Sequence, residues 1–423
     1  ALHATITGSV ASSFTWKSGG GNKLFAASET DIYEITTPAD ATVPPTASVT
    51  GLTSGDWSIT NFANSAGDYI VLANGADSVR TYEGTTWATP TITGVASSAL
   101  SQVWPFKERL YFIEGNTLSF WYLATNAIAG AATEFPLKGV FQLGGSLLFG
   151  ATWSLDSGEG LDDVCVFVTT EGECAIYSGT DPSSASTWAL QGVYRMGRPL
   201  NKNAWFKAGG DLAVLTEDGI VPISAAIRKD RAALQADAIT FPIEEAWREV
   251  VVNRGGNYPF SVSLWQSQTM LIVGVPSVDT TKDIVFVANA RTGAWCRYVG
   301  WDIQTSIIHD DRLFFGTAGG EIFQGEVTGS DNGTEYSGVW IPRFTESNAN
   351  QKFAVHARFR GRARETYSVG ITCFSDYISN DFTIAGSTSA GTATTAAPSN
   401  AWGVAVWGEF IWGGTESKQY LSD

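Results

Sequence analysis

A chain of 423 residues with formal net charge −16 can hold two or three domains, and its acidity disfavours tight adhesion to phosphates. Hydrophobic residues make up 44%, which excludes a disordered chain. No stretch approaches the ~20 apolar residues of a membrane span. The opening ALHATITG lacks the charged and apolar regions of a secretory signal. It also lacks Met, as expected of a processed chain or a piece of a longer one.

Abundant Gly (45), Trp (16) and Phe (23), with only 2 Met, suit many short strands joined by Gly-rich turns. In chain order, one theme recurs: a short apolar strand, a turn with Gly, Asp or Asn, and a second strand. It appears at residues 23–35, 68–82, 109–123, 165–177, 211–223, 270–290 and 312–326. Anchored on Leu24, Ile70, Leu110, Val166, Leu212, Leu271 and Leu313, the units recur at intervals of 40 to 59 residues. That period marks the blades of a β-propeller. The expected fold is therefore all-β, a seven-bladed propeller over residues 1–338. Three units continue through turn-forming residues into tryptophan, at YEGTTW, YSGTDPSSASTW and ANARTGAW. Trp87, Trp188 and Trp295 are expected to start strands and to pack between neighbouring blades.

Between the fifth and sixth units, about 226–256, the pattern turns helical. Pro242 precedes Glu244 and Glu245, which suit the first turn of a helix, and Ile243, Trp247 and Val250 share one helical face. After residue 338 the repeat stops. Residues 339–423 are expected to form a small β-sandwich-like domain with a flexible loop at about 386–400, GSTSAGTATTAAPSN. Asn332-Gly333-Thr334 is a glycosylation sequon by pattern and reads as a turn.

Chemistry is hard to find. GxSxG, HExxH and the phosphate-binding GxxxxGK[ST] are all missing. The repeated Asp-boxes of sialidases, the kelch double glycine and the WD dipeptide are missing too. His309, beside Asp310 and Asp311, reads as part of a polar turn. Cys165, Cys174, Cys296 and Cys373 have no metal-ligand spacing and read as buried, reduced thiols. The expectation is a protein without enzymatic activity, cofactor or metal.

Residues 167–224, FVTTEGECAIYSGTDPSSASTWALQGVYRMGRPLNKNAWFKAGGDLAVLTEDGIVPIS, with SGVWIPRF (337–344) and AWGVAVWGEFIWGG (401–414), resemble the tail nozzle or hub proteins of short-tailed phages, also described as packaged-DNA stabilisation proteins. The resemblance spans about 100–415 and rests on phrases, not on catalytic residues. It implies a propeller-bearing subunit of a homohexameric ring in the virion tail. Such a ring sits below the portal and adaptor, carries tail fibres or a tail tip, and passes dsDNA without reading its sequence. The first residue is Ala and the last residues are QYLSD, so part of a terminal platform is expected to be absent from this chain or built differently. A carbohydrate-binding or carbohydrate-degrading propeller, motivated by the tryptophans, and another capsid or tail accessory protein are the alternatives.

The charge is unevenly spread. From residue 341 onward basic and acidic residues balance, so the whole −16 lies in the first 340. In the neutral part, HARFRGRARE places Arg358, Arg360, Arg362 and Arg364 at alternate positions, hence on one face of a strand. The expected counterpart is an acidic surface on a neighbouring subunit or tail component.

Overall fold

The computed structural model describes residues 1–154, 163–254, 260–275, 284–327 and 332–334, and the backbone of four short strands beyond. The chain divides into two compact units, Ala1–Tyr336 and Ser337–Asp423.

Among the described residues the first unit holds seven antiparallel blades, with a short parallel pair, Ile92–Thr93 with Gly130–Ala131, beside them. Blade 1 runs through Ser12–Trp16, Lys23–Ala27, Ile32–Glu34 and Ala47–Val49. Blade 2 follows with Ser58–Asn64, Gly67–Ala73, Arg80–Tyr82 and Trp87–Ala88. Blade 3 comprises Leu100–Phe106, Arg109–Glu114, Ser119–Tyr122 and Thr133–Pro136, and blade 4 Leu147–Trp153, Val164–Thr169, Glu173–Gly179 and Trp188–Arg195. Blade 5 has three strands only, Trp205–Ala208, Asp211–Thr216 and Gly219–Pro222. Blade 6 returns to four with Ser261–Trp265, Met270–Val275, Ile284–Asn289 and Trp295–Val299. Blade 7 takes Thr305–His309, Arg312–Gly316 and Glu321–Gln324 from one end of the unit and Leu2–Thr5 from the other.

Each of the seven sequence anchors falls in the second strand of its own blade. The reason is burial on both faces. In blade 4, Val166 and Val168 pack towards blade 5 while Cys165 and Phe167 pack towards blade 3. A strand covered on both sides reads as a continuous apolar run and not as an alternation. Seven hydrophobic clusters result among the described residues, one at each junction around the ring, including blade 7 against blade 1.

The ring closes through the N-terminus. Leu2–Thr5 pairs antiparallel with Glu321–Gln324, with Thr5 opposite Glu321 and Leu2 opposite Phe323. The Ala1 ammonium donates to the Gln324 carbonyl at 2.9 Å. Closure removes the unpaired end blade that an open stack would expose. LHAT is too short and too polar to announce this from sequence.

Polar side chains stitch the inner strands of neighbouring blades. The buried Gln102 amide donates to the Gly150 carbonyl (2.9 Å) and accepts from its N–H (2.8 Å), so a blade 3 side chain satisfies the blade 4 backbone. The Ser58 hydroxyl accepts from the Val103 N–H, Ser263 meets Ser306 at 2.9 Å, and Thr15 meets His309 at 3.1 Å. Buried polar groups with such partners fix register without leaving orphaned donors.

In the second unit two antiparallel pairs are described, Arg360–Ala363 with Lys418–Leu421 and Thr372–Ser375 with Ile378–Thr383. The sandwich expected for residues 339–423 and the loop at 386–400 fall outside the described residues.

Candidate functional site

Alternating strand direction puts two sets of loops on the same face of the ring: the turns between second and third strands, and the segments entering each first strand. This face gathers carboxylates. The turns EGNTL, TTEG and TEDGI lie here, with Glu114, Glu171, Glu217 and Asp218. Some of these acids serve the fold. Asp77 accepts from the Thr53 and Ser54 N–H groups (3.0 and 3.2 Å) and from the Asn74 amide (2.8 Å). Partial burial works against its charge, yet these bonds together hold the carboxyl below its usual range. Buried Glu173 accepts from the Gln142 and Leu143 N–H groups at 2.9 and 2.8 Å.

On the same face a strut crosses the ring. Lys202, entering blade 5, places Nζ 3.1 Å from the Asp56 carboxylate and donates to the Asp56 carbonyl at 2.6 Å. The Asn203 amide donates to the other Asp56 oxygen at 3.2 Å. Asp56 leads into blade 2. Blades 2 and 5 are not neighbours, so this contact spans the axis of the propeller. Sequence reasoning missed it, because nothing in SGDWS or NKNAW relates two segments 146 residues apart.

A concave region lies at blades 4 and 5 beneath the helical insertion. Ile223–Ala226, Arg231–Leu234 and the longer helix Glu244–Arg254 stand where blade 5 lacks a fourth strand. The open edge of Gly219–Pro222 is sealed by the Ile239 N–H donating to the Ile220 carbonyl and the Ile220 N–H donating to the Thr240 hydroxyl. Trp247 and Val250 are buried in the cluster between blades 5 and 6, and the Trp247 indole donates to the Thr216 carbonyl at 3.1 Å. Two adjoining cavities of about 560 and 500 Å³ result, sharing Asp218, Arg231 and Gln235. Arg231 divides them. Its guanidinium is held by Asp218 (2.8 and 3.2 Å) and Glu217 (2.5 Å), and the Asp218 contact leads in raising its pKa. Arg198 pairs with Glu171 at 2.7 Å. Arg248 lines the larger cavity and has no ion pair or hydrogen bond among the described residues.

The three singled-out tryptophans each begin the fourth strand of their blade. Trp87 of blade 2 lies 5.3 Å, ring to ring, from Phe25 of blade 1. Trp188 of blade 4 lies 5.9 Å from Phe106 of blade 3. The Trp295 indole of blade 6 donates to the Ile239 carbonyl of the blade 5 insertion. Each therefore packs against the preceding blade, and the three do not converge.

Of the arginine ladder, Arg360 and Arg362 lie on Arg360–Ala363, opposite Leu421 and Gln419. Arg358 and Arg364 fall outside the described residues. Asp310 and Asp311 form the two-residue hairpin turn between Thr305–His309 and Arg312–Gly316, both at positive φ (46° and 58°). The Asp311 carboxylate accepts from the Trp265 indole (2.9 Å) and the Ser267 hydroxyl (2.5 Å) of blade 6. The Asn22 amide of blade 1 donates to Asp310 at 2.6 Å. Cys165 and Cys174 are free and buried, whereas Cys296, expected to be buried, is exposed on the outermost strand of blade 6; burial pushes the Cys174 thiol up to about 12. They belong to different junctions, Cys165 towards blade 3 and Cys174 towards blade 5. Among the described residues no group of His, Cys, Asp and Glu is placed to hold a metal ion, and no helix is long and apolar enough to cross a membrane.

No protein-family model matches the chain, and no curated protein matches it by sequence. Solved propellers resemble it. The WD40 β-propeller domain of Doa1 has a TM-score of 0.40 and 10% identity, over 77% of this chain and 97% of that one. BamB from Moraxella catarrhalis has a TM-score of 0.41 and 11% identity, over 76% and 98%. At such identities the likeness concerns fold alone.

Proposed function

We propose that the chain is a structural protein of a short-tailed phage virion: a tail nozzle or hub subunit that assembles as a ring of six, retains packaged dsDNA and conducts it during ejection. The observation that carries this reading is the phrase at residues 167–224, which resembles such proteins and runs from blade 4 through blade 5 to the edge of the helical insertion. The physical properties suit the role. A closed propeller is stiff and offers no end blade for unwanted pairing. A propeller unit bearing the whole −16 is poorly suited to hold phosphates, as a DNA conduit requires. Under this reading the ring docks to the adaptor or portal above and to fibres or a tip below, with the arginines of the second unit as candidates for docking.

The carbohydrate reading has less to rest on. Trp87, Trp188 and Trp295 are committed to packing between blades, which leaves no open aromatic platform at those positions.

Native mass spectrometry of the purified chain, with imaging of tail particles, tests the proposal. The expected result is a species near six times 45.2 kDa and a six-fold ring on the tail axis. A strictly monomeric chain located away from that axis would overturn it.

A further inference from the structure

We propose that Asn332 is a site of spontaneous covalent modification, at which the Gly333 backbone nitrogen expels the side-chain amide as ammonia and leaves aspartate or isoaspartate. The chain holds two Asn-Gly pairs, Asn74-Gly75 and Asn332-Gly333. Glycine has no Cβ, so little shields its nitrogen from the preceding side chain. The two pairs share more than sequence, since each glycine sits at positive φ, 81° for Gly75 and 89° for Gly333. What separates them is the fold around each.

Asn74 is locked. It is 8% exposed, and its amide donates to the Ser54 carbonyl and to the Asp77 carboxylate, both at 2.8 Å. Its side-chain oxygen accepts from the Ala76 N–H at 3.0 Å and from the Asp77 N–H at 2.8 Å. The Gly75 N–H, the nucleophile in such a reaction, donates to the Leu100 carbonyl at 2.9 Å. Several of these bonds must break before Asn74 can react. Asn332 and Gly333 instead form an exposed turn. Neither the Asn332 amide nor the Gly333 nitrogen has a hydrogen bond among the described residues, and a Cβ on Gly333 would meet nothing within 4 Å.

The chemistry needs water alone. The Gly333 nitrogen gives up its proton and bonds to the Asn332 Cγ, the Cγ–Nδ2 bond breaks, and ammonia leaves with that proton. Water then opens the cyclic imide at either carbonyl and returns a proton to the peptide nitrogen. Opening at one carbonyl gives aspartate. Opening at the other routes the main chain through the former side chain and lengthens it by a methylene. Either product adds a carboxylate, ionised at neutral pH, to a chain already at −16. The change falls just before the first compact unit ends at Tyr336. This inference stands apart from the proposed virion role and holds or fails without it.

The test ages the full chain in mildly alkaline, oxygen-labelled water and follows both pairs by peptide mass spectrometry. In the native chain Asn332 should convert about tenfold or more faster than Asn74, whose bonds must open first. In denaturant the two should convert at similar rates, because local sequence is then all that distinguishes them. Gly333→Ala should slow conversion at Asn332 severalfold. An isoaspartyl-specific methyltransferase should label the aged parent and leave freshly made Asn332→Asp unlabelled. Asn332 found intact in the native chain after the denatured chain has converted would overturn the proposal. So would equal native rates at the two pairs, or a difference between them that persists in denaturant.

Discussion

The strut across the propeller axis should couple two blades that are not neighbours in the ring. Around a closed ring each blade is stabilised mainly by its two neighbours, much as in a linear repeat array. Lys202→Met removes the ammonium while keeping most of the aliphatic stem. It abolishes the 3.1 Å ion pair with Asp56 and the 2.6 Å bond to the Asp56 carbonyl. The Lys202 side chain is 13% exposed and that of Asp56 is 49%, so the carboxylate regains water easily and its share of the loss is small, about 0–1 kcal/mol. The charge-assisted bond to the carbonyl adds about 1 kcal/mol. A total near 1.4 kcal/mol corresponds to about a tenfold change in a local opening equilibrium. Native-state hydrogen exchange read by mass spectrometry should therefore show about tenfold faster exchange at residues 56–64 of blade 2, although the substitution lies in blade 5. Asp56→Asn should give a smaller effect, and the double variant should be less than additive. If exchange accelerates only around Lys202 and residues 56–64 keep their protection, the strut transmits nothing and the reasoning fails.

Three other outcomes are expected. Gly150→Ala should destabilise by about 1–3 kcal/mol, because a Cβ there would lie 2.5 Å from the Trp104 ring, whereas Gly139→Ala, with nothing within 4 Å, should leave the melting temperature unchanged. On acidification, stability should hold near neutrality and then fall in two stages. Burial outweighs the neighbouring Asp310 and lowers the pKa of His309 below its ordinary 6.5; Asp77 is held below its ordinary 3.8. Both groups bind protons more readily when unfolded, so each contributes stability above its unfolded value that is lost as pH falls through its folded one. His309→Gln should flatten the first stage in a thermal titration, and an unchanged profile would remove His309 as its cause. Replacing Arg358, Arg360, Arg362 and Arg364 together with Ser should weaken ring assembly, read by native mass spectrometry, without altering the melting of the propeller; normal assembly would reduce the ladder to a solvated strand face.

Much of the fold was legible because a blade is written locally. The second strand of each unit must be apolar on both faces, and that demand left the seven anchors visible at a 40 to 59 residue spacing. The tryptophans were legible for a related reason. Each opens the fourth strand after a turn, where a large ring can reach the preceding blade. Closure by Leu2–Thr5 and the Lys202–Asp56 strut were not legible. Both depend on pairing between distant segments, and neither hydroxyl, amide nor short-strand composition records its partner. Arg248 was equally hidden: among the charges of the insertion, only the fold shows which ones are neutralised.

Blade 5 brings these strands of argument together. The propeller repeat needs a fourth strand to finish each sheet, yet after Gly219–Pro222 the sequence turns to Ser, Ala and charged residues with helical spacing. The fold accommodates this by sealing the strand edge at Ile239 and Thr240 and by burying Trp247 and Val250 where a strand would have packed. Two cavities lie beside these helices, lined by residues of blades 4 and 5 and of the insertion. The same substitution also places Phe241 and Val252 on the surface, 51% and 77% exposed. A local sequence that departs from the pattern of its own repeat is where function is most often grafted onto a fold. That reasoning makes this blade the first place to look for a functional contact.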